Sequence, residues 1–171
     1  EITADASTFS FDYLVFATGA SPRLLSMPNS DAKNLFYLRK ISDVVDIHAQ
    51  LDSAKDIVLI GGGYIGLEVA SAMVDLGLNV TIIEAEDRIL KRVTSPELST
   101  FYQSTHEAKG VKIICNAKVN GLIAENQIIN CVELESGETI LADAVLAGIG
   151  AIPNTQLAEK AGLDCNNGIA T

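Results

Sequence analysis

Apolar residues fall into short, separated runs along this chain, and the spacing inside each run sets the element it should form. Ile57-Val58-Leu59-Ile60 is β-branched and is closed by Gly61-Gly62-Gly63, the pattern of a strand buried on both faces. From Tyr64 to Leu76 apolar residues recur every three or four positions, at Ile65, Val69, Ala72, Met73 and Leu76, before Gly77 supplies a left-handed stop. That spacing predicts an amphipathic helix with this stripe turned to the core. Asn79 to Ile83 is a second β-branched run, ending at Glu84, so residues 55–84 read as one βαβ unit with parallel strands. Ser95-Pro96-Glu97 carries helix-start chemistry and Lys109-Gly110 a helix stop, and a third strand follows from Val111 to Cys115.

Between Ala117 and Ala142 the period shortens. Val119–Leu122, Ile128–Leu134 and Thr139–Leu141 alternate and are broken at Glu125-Asn126 and Ser136-Gly137, which predicts an antiparallel meander ahead of a last core strand, Ala144 to Ala147. Val44 to Leu51, which includes His48, is expected as a helix preceding the fold. The sum is an α/β class chain: a Rossmann-like parallel sheet flanked by helices, with an inserted antiparallel β-meander.

The N-terminal residues echo the last strand. Asp12-Tyr-Leu-Val-Phe-Ala-Thr-Gly19-Ala-Ser-Pro22 and Asp143-Ala-Val-Leu-Ala-Gly-Ile-Gly150-Ala-Ile-Pro153 share Asp, an apolar run, Gly and Pro at equal spacing. This points to two related units, the first represented only by its tail. The chain opens on Glu1 and stops at Gly168-Ile-Ala-Thr171 without a terminal element, so it is expected to be a piece of a longer protein. Residues 1–32 would be the remnant of one domain, 33–153 a complete second domain, and 154–171 a return toward the first.

Composition narrows the partners. The 171 residues are 48% apolar, with mean hydropathy +0.27, which suffices for one real core. Twelve basic against 22 acidic residues give a net charge of −10, which disfavours nonspecific binding to nucleic acid or to an anionic membrane. No apolar run approaches the roughly 18 residues of a membrane span, and the start carries no secretory pattern. Three scattered cysteines, Cys115, Cys131 and Cys165, form neither a disulfide framework nor a zinc-ligand spacing, so a reduced, cytoplasmic setting and no metal are expected.

The chemistry concentrates at Gly61-x-Gly63-x-x-Gly66. A glycine triple in a loop is weak by itself, but this one lies between a strand and a helix, with an acid, Glu84, ending the next strand. Gly61 would permit the tight turn, Gly63 would let backbone approach a pyrophosphate, and Gly66 would let the helix lie close to the sheet. The helix N-terminus would offer N–H groups to the phosphates. Glu84 would bind the adenosine ribose, and with Glu86 and Asp87 would repel the extra phosphate of NADP; Arg88 is the nearby cation on the other side of that balance. Tyr64 would either cover a nucleotide or pack. Gly148-Ile149-Gly150 ends the last strand at the carboxyl edge, where ligands of such sheets bind. Glu68, outside the apolar stripe, reads as a solvated helix acid; Asn154 reads as a turn residue, and His48 and His106 as structural.

Gly61-Gly-Gly-Tyr-Ile-Gly-Leu-Glu68, Glu84-Ala-Glu-Asp-Arg-Ile-Leu90 and Gly148-Ile-Gly-Ala-Ile-Pro-Asn154 resemble the NAD domain of FAD-dependent pyridine nucleotide-disulfide oxidoreductases, flavoproteins related to glutathione reductase. Arg92-Val-Thr-Ser-Pro-Glu-Leu-Ser99, Phe101-Tyr102 and His106 look most like the ferredoxin, rubredoxin and putidaredoxin reductases. The resemblance implies that Tyr13 to Gly19, with Thr18 and Gly19, closes an FAD domain and that Arg23 reaches toward FAD. It implies that Glu68 is the catalytic-site acid near nicotinamide and flavin, and that Gly61, Gly62, Gly63, Tyr64, Ile65, Gly66, Glu84, Gly148, Ile149 and Gly150 form the NAD(H) site. It further implies an NADH-dependent reductase passing electrons through FAD to a ferredoxin- or rubredoxin-like protein. FAD would be bound only in the full-length parent, and the isolated chain would be inactive. Two rivals stand beside it: a fragment of a thiol-dependent disulfide or peroxide reductase, and a stand-alone NAD-binding regulatory module.

Overall fold

The computed structural model describes residues 1–170. They form two compact units, residues 22–150 and residues 1–21 with 151–170. In chain order the second of these begins with strands β1 (Ile2–Ala4) and β2 (Ser7–Phe9), an antiparallel hairpin pairing Ile2 with Phe9, followed by β3 (Ala20–Pro22). The larger unit carries β4 (Leu35–Phe36), α1 (Ile41–Leu51), β5 (Asp56–Ile60), α2 (Tyr64–Asp75) and β6 (Asn79–Ile83). It continues through α3 (Pro96–Ala108), β7 (Lys112–Ile114), β8 (Val119–Glu125), β9 (Ile128–Leu134), β10 (Thr139–Leu141) and β11 (Ala144–Ala147). Strand β12 (Ala151–Pro153), which pairs with β3, and helix α4 (Gln156–Lys160) then complete the smaller unit.

Five parallel strands in the order β4-β11-β5-β6-β7 make the central sheet of residues 22–150. Its strands are apolar on both faces because each face has its own cover. Ile57 and Leu59 of β5 face Leu67, Ala70 and Met73 of α2, Ile47 of α1 and, at the margin, Tyr102 of α3. Val58 and Ile60 face the opposite way, onto Leu122, Ile129, Val132, Leu134 and Ile140 of the antiparallel sheet β10-β9-β8. The helices therefore line one face and the meander lines the other, a Rossmann-like layering.

Local chemistry explains the boundaries. Ser95 caps α3 by accepting the Leu98 N–H, with Pro96 in the first turn. Asp43 accepts the backbone N–H groups of Lys40 and Arg39 at the start of α1, which holds its carboxyl below the usual carboxylate range. Asn126 and Gln127, both at positive φ, form the two-residue turn between β8 and β9. Two buried or clamping polar residues join distant strands. Asn34, wholly buried, donates to the carbonyls of Ile129 and Asp143 and accepts the Ile129 N–H, all at 2.8 Å. Asp143 accepts the N–H groups of Lys55 and Asp56, also at 2.8 Å.

Two expectations are corrected. The buried face of α2 is Gly66, Leu67, Ala70 and Met73, whereas Ile65, Ala72 and Leu76 are exposed and Val69 is half-buried. The helix is apolar nearly all round, so hydrophobicity leaves its rotation open; a Cβ at position 66 would strike the Gly61 carbonyl, and this turns Gly66 inward. The segment Tyr13 to Gly19, expected as a strand like Ala144–Ala147, forms none. No described residue offers it a ladder, and Tyr13 and Val15 lie exposed at 93% and 85%. Asp12 likewise makes none of the contacts of Asp143. Among the described residues no helix is long and apolar enough to cross a membrane.

Candidate functional site

The glycine loop joins the carboxyl end of β5 to the N-terminus of α2, and each glycine does something different there. Gly61 has φ +108° and donates to the Ile83 carbonyl at 2.8 Å, and a Cβ on it would stand 2.5 Å from the Gly148 oxygen. It therefore serves the turn and also the close passage of the β5 and β11 ends. Gly62 is enclosed: a Cβ would meet Ile89 Cγ2 at 2.7 Å and Glu84 Oε2 at 3.1 Å. Gly63 is open, with no atom within 4 Å of where its Cβ would be. It caps α2 without any side-chain hydrogen bond, so the first N–H groups of the helix face outward without a protein partner from a capping side chain.

Glu84 is itself built into the loop. Its Oε2 accepts the Gly62 N–H at 2.7 Å and its Oε1 accepts the Glu86 N–H at 2.8 Å, fixing the carboxylate at the tip of β6. Each carboxylate oxygen keeps a second lone-pair direction for a hydroxyl. The Gly62 N–H is thus spent on Glu84.

The residues after Glu84 hold the surrounding charges in place. Lys91 pairs with Glu86 at 2.9 Å and Asp87 at 3.3 Å, and its ammonium is pushed above the usual lysine range by those two carboxylates. Arg88 is half-buried and donates to the carbonyls of Lys91 and Thr94 at 3.0 and 3.1 Å and to Ser99 Oγ. It is not free to meet a 2′-phosphate. Cys115 follows β7 half-buried, and burial first, then the Glu84 charge, raises its thiol above the usual cysteine range.

Gly148, Ile149 and Gly150 lie beside the loop, since Gly148 donates to the Ile60 carbonyl at 2.8 Å and Gly150 turns with φ +105°. The Arg23 N–H donates to the Gly150 carbonyl at 2.9 Å, which brings Arg23 to the same edge with its side chain exposed. Tyr64 and Ile65, each about half exposed, and the exposed Glu68 stand on the outward side of the first turns of α2. Gly61 to Gly66, Glu84 and Gly148 to Gly150 therefore converge on one carboxyl edge of the sheet. His48 is exposed on α1; His106 is half-buried with Nδ1 unpartnered, and burial first, then Lys109, lowers its pKa below the ordinary histidine value.

Thr18 and Gly19 belong to the smaller unit. There Asn154, read from sequence as a turn residue, is a four-bond clip. Its N–H donates to the Gly19 carbonyl at 2.9 Å and its Nδ2 to the Thr18 carbonyl at 2.9 Å, while it accepts the Thr18 and Ser21 hydroxyls at 2.6 and 2.8 Å. The clip shapes a cleft lined by residues 14–19, Pro153, Thr155 and Leu163. No local pattern announced it, because Thr18 and Ser21 lie 136 and 133 residues from Asn154. Ser99 and Leu90 carried no signal for a similar reason, and Arg88 was read only as a cation for a 2′-phosphate: their contacts lie in a folded loop and not in a motif.

Across its full length, residues 1–171, the chain matches the family described as pyridine nucleotide-disulphide oxidoreductase. The chain belongs to this family. Among members of the pyridine nucleotide-disulphide oxidoreductase family, it is 41% identical over 165 residues to the rubredoxin-NAD(+) reductase of Pseudomonas putida, covering 96% of this chain and 43% of that protein. It is also 41% identical to a putidaredoxin reductase of the same organism, covering 98% of this chain and 41% of the relative. The solved covalent putidaredoxin reductase–putidaredoxin complex superposes with a TM-score of 0.87 at 42% identity, over 92% of this chain and 39% of that one. The chain thus spans about two fifths of the length of the curated relatives it matches.

Proposed function

We propose that residues 22–150 bind NAD(H) within an NADH-dependent flavoprotein reductase that delivers electrons through FAD to a small iron–sulfur protein of the ferredoxin or rubredoxin kind. The observation that carries the reading is the open Gly63 at the uncapped N-terminus of α2, flanked by a Glu84 carboxylate already fixed on the same loop. An anionic pyrophosphate suits the first feature and a ribose diol the second. The printed names of the relatives, rubredoxin-NAD(+) reductase and putidaredoxin reductase, support the class of acceptor.

The chain's own residues bind and orient. The α2 N–H groups hold the pyrophosphate; Glu84 accepts the adenosine ribose hydroxyls and places a negative charge where a 2′-phosphate would sit; Ile65 and the Gly148–Gly150 turn bound the path of the dinucleotide; Glu68 stands on the outward face of α2 near its nicotinamide end. FAD, when bound in the whole protein, supplies hydride acceptance and release of single electrons. Thr18 and Gly19 in the clipped cleft of the smaller unit are the residues here that would help hold it. The chain by itself would bind nucleotide and turn nothing over. Three cysteines, all unpaired, fit a reduced cytoplasmic setting.

Calorimetric titration of the chain with NADH tests the site: saturable one-to-one binding is expected, and absence of binding refutes it. In the whole protein, NADH should reduce a ferredoxin-type acceptor; turnover of a disulfide or peroxide instead would establish the thiol-dependent alternative.

A further inference from the structure

Gly62 is gripped from both sides. Its N–H goes to Glu84, and its carbonyl accepts the N–H of Leu90 at 2.9 Å. Ile89, fully buried, rests against its Cα, where no Cβ would fit. The second grip depends on an unusual backbone, because Leu90 is a buried, bulky residue at φ +55°. A leucine stays in that region only when its surroundings force it there.

Arg88 braces the loop that follows Leu90. Its guanidinium reaches the carbonyls of Lys91, Thr94 and, at 3.5 Å, Ser95, together with Ser99 Oγ. Ser99, 1% exposed on the first turn of α3, donates its hydroxyl hydrogen bond to the Ile89 carbonyl at 2.6 Å. Thr94 Oγ1 lies 3.2 Å from both the Leu90 carbonyl and Ser99 Oγ. One planar cation thus gathers the carbonyls of a tight loop and ties them to α3, and the loop's inner edge bears on the nucleotide turn.

We propose that Arg88 is a positioning residue for the nucleotide site: by clamping residues 88–95 onto Ser99 it holds Ile89 and Leu90 against Gly62 and thereby fixes the turn that presents Gly63 and Glu84. The proposal rests on the reading of that turn as the NAD(H) site. It differs from a direct role of Arg88 at the 2′-phosphate, because an effect carried through Gly62 falls on NADH and NADPH alike.

The test is titration of the chain and its variants with NADH and with NADPH, well below each melting temperature and with circular dichroism confirming the folded state. Arg88→Met should weaken both nucleotides by the same factor, at least about tenfold, since small displacements of a binding frame cost that much. Arg88→Lys, with a point charge in place of a fork, should recover only part of the loss, and Ser99→Ala should reproduce part of it. The double variant should lose no more than Arg88→Met alone, because both act through one loop. Unchanged NADH affinity in folded Arg88→Met overturns the proposal, as does a loss confined to NADPH or full additivity in the double variant. If Arg88→Met does not fold, Arg88→Lys and Ser99→Ala decide the matter by the same readings. Failure of the wild-type chain to bind either nucleotide overturns both this proposal and the site reading, whereas wild-type binding with insensitive variants overturns the proposal alone.

Discussion

The Glu84 carboxylate accepts the backbone N–H of Gly62 at 2.7 Å across 22 residues of sequence. The acid at the end of the second strand is thereby a structural member of the glycine loop as well as a candidate ligand. Its orientation is set before any nucleotide arrives, so little side-chain entropy remains to be lost on binding.

Removing that carboxylate has two consequences. Glu84→Ala leaves the Gly62 N–H unpartnered and removes the negative charge proposed to face the ribose 2′ position. Hydrogen bonds to charged groups are worth about 1.5–3 kcal/mol. NADH should therefore bind more weakly by about one to two orders of magnitude, with NADPH less affected, so the ratio of the two dissociation constants narrows in paired titrations.

The glycines should separate stability from binding. Gly63→Ala adds a methyl group into open space at an ordinary φ of −82°, so the melting temperature should hold while NADH affinity falls at least about tenfold, as expected where backbone contacts a pyrophosphate. Gly61→Ala places a Cβ against the Gly148 oxygen at positive φ, and should cost about 1–3 kcal/mol in a denaturant melt.

If the whole protein is the proposed reductase, Glu68→Ala should slow its NADH-driven flavin reduction more than it raises the NADH dissociation constant. Glu68 is exposed on the outer side of α2, where its loss removes no packing. Stopped-flow reduction rates compared across NADH concentrations separate the two effects.

His106 makes stability sensitive to acid. Burial and then Lys109 lower its pKa below the ordinary value of 6.5, so the folded state binds the proton less well than the unfolded chain. Its contribution is complete above pH 6.5 and is lost as pH falls through the lowered folded-state value. The melting temperature should drop on acidification below pH 6.5, and His106→Gln should flatten that part of the profile.

Asn34 should matter out of proportion to its size. Asn34→Leu keeps the volume but strands the Ile129 N–H and two carbonyls in the core between β4, β9 and β11. The expected loss is about 2–4 kcal/mol, read as a shift in the urea midpoint.

Much of the larger unit was readable from local pattern. Strand β5, helix α2, strand β6, the Ser95 cap and the meander each carry their signal within a dozen residues, because strand burial, caps and turns depend on near neighbours. The rotation of α2 was not readable, since Leu67 and Ala70 are no more apolar than Ile65 and Leu76; contact between Gly66 and Gly61 decides it. Tyr13 to Gly19 has a strand's composition, but a ladder needs a partner and composition does not say whether one is at hand. At the site, glycine spacing revealed the turn, while the commitments of Arg88, Asn34 and Asn154 arise only when residues far apart in sequence meet.

The central sheet places its last strand in its interior. Strand β11 enters between β4 and β5, with Asp143 binding Asp56 across 87 residues, and only then does the Gly148 carbonyl come to lie against Gly61. The edge proposed for the nucleotide is therefore finished by the strand of this sheet that comes last in sequence. A ligand that requires this edge draws its affinity from the completed chain order and, by mass action, holds β11 in its slot. Occupancy would then act as a latch on folding, closing behind the last strand of the central sheet.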